Sequence, residues 1–565
     1  MKKLRWQILI VVLALIAIGV LLVSQQPTIL PGVDPEPEPV TGGLYTEALI
    51  GKFGRLNPLL DHSNPADQDI NRLLYSALIR FDERGVPRGD LVESWGISQD
   101  GTVYNISIRA NATWHDGDPV TSEDVLFTID LMREDGMPIP EDIQAFWDQV
   151  EIVIFDDNNL QFRLPEPFAP FLDYLTFGVV PRHLLDGLSA EEIVDAEFNL
   201  NPIGSGPYQF QRLLTEQGNI EGVLLSIFDA YYGDVPFIEE IIFRYYPDLT
   251  TAFDAYQQES VMGISRIDAE ILSDTLQDPG LNLYSGRMPQ LSLVYLNLDD
   301  PALPFFQETE VRRALLMGIN RQKIINEILD GQGITAHGPI LPGTWAYYEG
   351  IEKIPYDPDG AEKILKEADY TIPAGGGGVR AKEGVALAFE LVYQDEEPFS
   401  SIASFIKKDW EKIGIKAVLV AVSQEELVND YLEPRNFDTA LVNLNLGPCP
   451  DPDPYPFWHQ AQTTGGQNYA MWDDRQASEY IEKARVDVDF ASRRKWYRNF
   501  QVRFTQEMPA LPLFHPVYSY GVGEQVQGVQ MGPVFTMQDR FNTISDWFLL
   551  ARRTLETSET PTPVP

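Results

Sequence analysis

Five prolines at alternate positions, Pro448, Pro450, Pro452, Pro454 and Pro456, constrain this chain more than any other stretch of it. Each fixes φ at about −65° and lacks a backbone donor, so the segment is expected to stand outside any helix or central strand. An apolar run, Ala440 to Leu446, precedes it and reads as a short strand. Asp451, Asp453, Tyr455, Phe457 and Trp458 lie among or just beyond the prolines. A stiff, acidic, aromatic loop at a strand end suits the wall of a cleft. It suits equally a surface loop whose rings fold back onto the core.

The chain around this loop has 565 residues, enough for several domains and large cores. Its net charge of −42 is spread along the length. Such a surface repels phosphate backbones and no basic stripe opposes it, so nucleic acid is not an expected partner. The single cysteine, Cys449, excludes an intrachain disulfide and a multi-cysteine zinc site.

At the N-terminus a basic start, Met1 to Arg5, leads into an uncharged apolar run from Ile8 to Val23. Its length lies between a signal-peptide core and a membrane-spanning helix. No small-x-small cleavage site follows, and no cysteine sits where a lipoprotein signal needs one. Residues 1–24 are therefore expected to anchor an extracytoplasmic body to the membrane, a cleaved signal peptide being the alternative. Residues 25–42 read as a Pro/Glu-rich stalk and 554–565 as a disordered tail.

Between these ends helix and strand signals alternate, which predicts α/β lobes. Leu44 to Ile50 reads as a strand and Ile70 to Ile79 as a helix. Tyr104, Ile106 and Ile108 alternate with polar residues, the period of a half-buried strand. Thr121 and Asp124 form a helix-capping pair, and Val150 to Leu164 a hairpin turning at DDNN.

Catalytic patterns are missing. The six histidines are scattered without an HExxH pair, and IGSGP puts Ser205 in the wrong frame for a nucleophile elbow. No phosphate-cradling glycine loop is present, and acidic pairs are too common to single out two as a glycosidase acid and base. His115-Asp116 is half of a triad at best, and a turn packed by Trp114 and closed by Gly117 explains it better. Asp451 and Asp453 lack the further ligands a calcium ion needs. No metal, cofactor or enzymatic activity is expected.

Read in order, the landmarks LNPLL (56–60), WHDGDPVTSEDV (114–125), IGSGPYQF (203–210), VRRALLMGINRQKII (311–325), YDPDGAEKIL (356–365), GGQNY (465–469) and MPALPLF (508–514) resemble the extracellular solute-binding proteins of family 5. That family serves oligopeptide, dipeptide and nickel ABC importers. The resemblance implies an α/β, two-lobed type II periplasmic-binding fold with a small extra α+β subdomain in lobe one. Lobe one would comprise residues 43–74, the subdomain at 75–200, and 201–290. Lobe two would span 291–490, and 491–553 would return to lobe one. The implied role is a monomeric receptor that closes on a peptide and presents it to a permease and ATPase. An oligosaccharide or other small solute is the alternative ligand, and an external hydrolase the alternative from another class.

By position in the family, the cleft contacts would be Asp61, His62, Ser63, Asn64, Pro65 and Ala66, and on the other side Leu444, Asn445, Leu446 and Gly447. Asp451, Asp453, Tyr455, Trp458 and Asn468 would follow in the next loop. The peptide-binding members carry Gly-Trp-x-x-Asp here, the aspartate taking the peptide's α-amino group. This chain has Leu444 at the tryptophan and Gly447 at the aspartate. A buried ammonium without a counter-charge costs several kcal/mol. Either Asp451 or Asp453 reaches back to supply that charge, or the ligand has no free amine. Tyr455, Trp458, Tyr469 and Trp472 motivate the sugar alternative, although each could equally be core.

Overall fold

Leu44–Ile50 is apolar at most positions because parallel partners flank it, Glu240–Tyr246 along one edge and Gly263–Ile267 along the other. This computed structural model describes residues 39–375 and 377–550. The expected anchor (1–24), most of the stalk and the tail lie outside the described residues. No helix among the described residues is long and apolar enough to cross a membrane.

The strand belongs to a twelve-stranded mixed sheet. Asn219–Ile227 and Tyr208–Glu216 extend it beyond Glu240–Tyr246. On the other side Gly263–Ile267 meets Ala510–Gly523, followed by Gln290–Leu296, Thr439–Asn445, Ala388–Gln394 and Lys416–Val422. Two large cores divide along this path, and a smaller third gathers Ala48 and residues from Leu249 to Leu281. One large core gathers residues from Tyr45 to Tyr245 and from Tyr518 to Trp547, and the other runs from Leu291 to Phe514. These are the two lobes. The helix Phe490–Glu507 contributes Tyr497, Phe500 and Phe504 to the second core, and the first core takes up the chain again at Tyr518.

The hairpin expected at 150–164 forms as Glu151–Asp156 and Asn159–Arg163, within a separate four-stranded antiparallel sheet with Val92–Ile97 and Val103–Ile108. The helix Ser122–Arg133 packs beside it, and the Asp124 carboxylate accepts the Thr121 N–H at 2.8 Å.

The helix expected at 70–79 occupies Pro65–Leu74 instead. Asn64 caps it through its side-chain oxygen, and Pro65 takes a first-turn position where no N–H is needed. Two glycines of IGSGP press against its last carbonyls. A Cβ on Gly204 would come to 1.9 Å from the Leu74 oxygen, and one on Gly206 to 2.2 Å from that of Leu73. His115 ties the two signature motifs together. Its Nδ1 accepts the Gly204 N–H at 3.1 Å and its Nε2 lies 3.1 Å from the Gly206 oxygen. Burial drives the imidazole down to about 4, so at neutral pH it is uncharged and can both accept and donate. His115 is thus a clamp within the fold.

Candidate functional site

The lobes meet where Ala510–Gly523 passes from one core to the other. Its first half pairs with Gln290–Leu296 and Gly333–Thr335, its second half with Gly263–Ile267 and Leu281–Arg287. The chain crosses a second time between Arg287 and Gln290. The two crossings touch, since the Met288 N–H donates to the Pro516 carbonyl at 3.1 Å. Two adjacent crossings form an axis about which lobes can turn.

One expected contact surface lies beside this axis. Leu446 donates its N–H to the Pro289 carbonyl at 2.8 Å, which holds the end of Thr439–Asn445 against the crossing. The strand's alternation turns Leu444 into the second core, leaving Asn443 and Asn445 exposed. The Leu444 side chain therefore points away from the exposed face of this strand end. Gly447 has φ +85° and open space where a Cβ would stand, with its N–H held by Asn445 Oδ1 at 3.0 Å. No carboxylate stands at this position, as the sequence indicates.

The other surface precedes Pro65–Leu74. His62, Ser63 and Pro65 are exposed, whereas Ala66 is buried. Asn64 is taken up by its cap and by the Asp67 carboxylate at 2.6 Å. Asp61 is half-buried and accepts Asn71 Nδ2 at 2.8 Å, and no cation pairs with it among the described residues. Burial pushes its carboxyl from 3.8 up to about 7, against the Asn71 hydrogen bond.

The proline loop departs from expectation in two ways. Pro456 does enter a helical turn, Tyr455–Trp458, at the start where a missing N–H costs nothing. Its acidic residues are already neutralised. Asp451 is buried, pairs with the Arg493 guanidinium and accepts the Tyr497 hydroxyl at 2.8 Å. Asp453 lies 3.2 Å from Arg485, and burial still pushes its carboxyl up to about 6. Neither has a free charge to offer at Gly447. The Asp451 N–H donates to the Asp173 carboxylate at 3.0 Å, which stitches the small subdomain to the second lobe. Burial and the Asp451 charge hold the Asp173 carboxyl well above its ordinary value.

The ring candidates belong to the second core. Trp458 is 1% exposed and packs on Tyr295 and Phe504; Trp472 packs on Phe504 and Tyr469 on Tyr295. The Tyr455 ring stacks on His459 with centroids 4.2 Å apart, and the Arg485 guanidinium lies 4.4 Å from its centre. Asn468, fully buried, bonds to the His459 and Trp472 carbonyls and so holds its own loop. Trp458 and Asn468 are both buried. Sequence reading missed Asp173, Arg485, Arg493 and Tyr497. The one available signal was the basic run Arg493 to Lys495 in so acidic a chain.

Residues 86–468 match the model of bacterial extracellular solute-binding proteins, family 5 Middle. The chain is 26% identical over 523 residues to the dipeptide-binding protein of Escherichia coli (strain K12), across 85% of this chain and 90% of that one. It is 25% identical over 523 residues to the oligopeptide-binding protein AppA of Bacillus subtilis (strain 168), across 91% and 92% respectively. Among solved structures, HbpA2 from Haemophilus parasuis superposes with TM-score 0.77 at 22% identity, over 90% of this chain and all of that one.

Proposed function

Because this chain belongs to the bacterial extracellular solute-binding proteins of family 5, we propose that it is the capture receptor of an ABC importer and takes peptides between its lobes. The observation that carries this reading is its similarity, over nearly the whole length, to proteins named for dipeptide and oligopeptide binding. Paired crossings beside an exposed strand end supply the hinge and backbone donors such a receptor needs. The captured peptide passes to a membrane permease and its ATPase without chemistry on the solute. Lobe one, in this reading, comprises roughly residues 43–290, with its subdomain at 75–200, together with the returning C-terminal segment, and the N-terminal apolar segment tethers the body to the membrane. The sugar reading loses its support because its rings are core or covered.

Asp61, His62, Ser63 and Pro65 on one side and Asn445 to Gly447 on the other form the contact surface in this proposal. Asp61 takes the role that the family's aspartate would have at Gly447. An ammonium beside it would favour the carboxylate, so binding a peptide with a free amine near pH 7 should release protons. Titration calorimetry in two buffers of different ionisation enthalpy reads this directly. Asp61→Asn should bind with no buffer dependence, and equal proton release from both proteins would remove Asp61 from the role. The same raised carboxyl works against the free fold at high pH. The folded chain keeps a proton that the unfolded chain gives up, so stability is fullest below 3.8 and declines as pH rises through 7. Asp61→Asn should flatten that decline in thermal melts.

The reading itself is tested by native mass spectrometry of protein purified without denaturation. A ladder of co-purifying peptide masses, lost on unfolding, is the expected result. Hexose-spaced masses would overturn it.

A further inference from the structure

Beside the paired crossings lies a cavity of about 300 Å³, large enough for part of a small ligand. Both lobes line it. Ser285, Arg287, Val517 and Gly532 come from the first, and Gln332 and Gly333 from the second. One polar chain already spans it: Ser285 Oγ and Ser519 Oγ lie 2.9 Å apart, and Ser519 Oγ donates to Gln332 Oε1 at 2.7 Å. With its oxygen so engaged, Gln332 has its amide Nε2 left as a donor.

Arg287 is the second donor. It is half-buried, and among the described residues its guanidinium has neither an ion pair nor a hydrogen bond. That is unusual in a chain with 84 acidic side chains against 42 basic ones, where most arginines near the core have found a carboxylate. Its position is set from both lobes. It projects from Leu281–Arg287 of the first, and its Nη1 would lie 2.5 Å from a Cβ on Gly343 of the second. A side chain at 343 would push the guanidinium aside.

We propose that this cavity is an anion subsite in which Arg287 and the Gln332 amide together hold a carboxylate of the ligand. A planar guanidinium meets a carboxylate through two parallel hydrogen bonds, which fixes orientation as well as charge. Because the two donors stand on different lobes, one carboxylate would bridge them and favour the closed arrangement. The proposal rests on the peptide-receptor reading and deepens it: the ligand carries an anionic end, either its C-terminal carboxylate or an acidic side chain.

Three probe mixtures separate these possibilities by thermal shift and titration: tripeptides of uncharged residues with free C-termini, the same tripeptides as C-terminal amides, and amides that each contain one glutamate. The free acids should bind the wild-type protein roughly 10- to 100-fold more tightly than the uncharged amides, the ratio expected for hydrogen bonds to a charged group. Arg287→Met should abolish that ratio while leaving the melting temperature of the free protein unchanged, since its guanidinium has no ion pair or hydrogen bond among the described residues. Gln332→Ala should narrow the ratio. Preference for the glutamate amides over the uncharged ones, also lost in Arg287→Met, would assign the subsite to an acidic side chain. Equal binding of acids and amides by the wild type, or an acid preference that survives Arg287→Met, would overturn the subsite and leave the receptor reading standing. If no mixture binds while the protein is folded and empty, the receptor reading falls and the subsite with it.

Discussion

Replacing Arg540 with methionine is expected to remove about 3–5 kcal/mol of stability from the first lobe, the loss typical of stranding buried charges. Arg540 and Glu47 are fully buried, and Asp69 nearly so. The guanidinium reaches Glu47 Oε1 from Nε at 3.0 Å and from Nη2 at 2.6 Å, and Asp69 Oδ1 from Nη1 at 2.6 Å. The second Glu47 oxygen accepts the Tyr45 and Tyr520 hydroxyls at 2.8 and 2.7 Å. Methionine would preserve much of the side-chain volume while leaving two carboxylates facing a dry core. Glu47→Gln and Asp69→Asn placed in the same protein should recover part of the loss, because neutral groups are cheaper to bury unpaired than charges. Calorimetric melting of both proteins near pH 7 is the check. A single variant that melts within a degree of wild type would refute the claim that this cluster holds the lobe together.

Arg493→Met should have an effect of the same order, about 3–5 kcal/mol, and show itself between lobes. Arg493 compensates Asp451 and donates from Nε to the Ala484 carbonyl at 2.9 Å. The backbone of Asp451 in turn binds Asp173 of the small subdomain. Without the arginine, two buried carboxylates face each other, and the proline loop should loosen from the subdomain. Limited proteolysis should then cut between Pro448 and Phe457, where the wild type resists. Asp451→Asn in the same protein should restore much of that resistance. Uncut loops and unchanged melting in Arg493→Met would show that Asp451 tolerates burial by other means.

What could be read in advance was what depends on near neighbours. The alternation of Tyr104, Ile106 and Ile108 located a strand, and Thr121 with Asp124 a helix start, because each signal lies within a few residues. The helix at Pro65 was misplaced because its end is imposed by Gly204 and Gly206, far along the chain. The site was harder still. Asp451 looks like a spare charge until Arg493, 42 residues later, is seen beside it. Trp458 and Tyr469 look like ligand platforms until Tyr295 and Phe504 are packed on them. Gly447 was legible because an absent side chain needs no partner. Arg287 gave no local sign, since its meaning lies in a partner that none of the described residues supplies.

The crossing strand also sets an order of events during synthesis. Glu47 leaves the ribosome early and must wait 493 residues for Arg540. For most of that interval the first lobe also lacks Tyr518 to Gly523, the segment against which Gly263–Ile267 and Leu281–Arg287 both pair. The second lobe, by contrast, has all its strands once Phe514 has emerged. The guest lobe can therefore be finished before its host, which meanwhile presents unpaired strand edges to its surroundings. The lobe made first is the lobe completed last, and a nascent chain of this design needs its edges shielded until translation is nearly done.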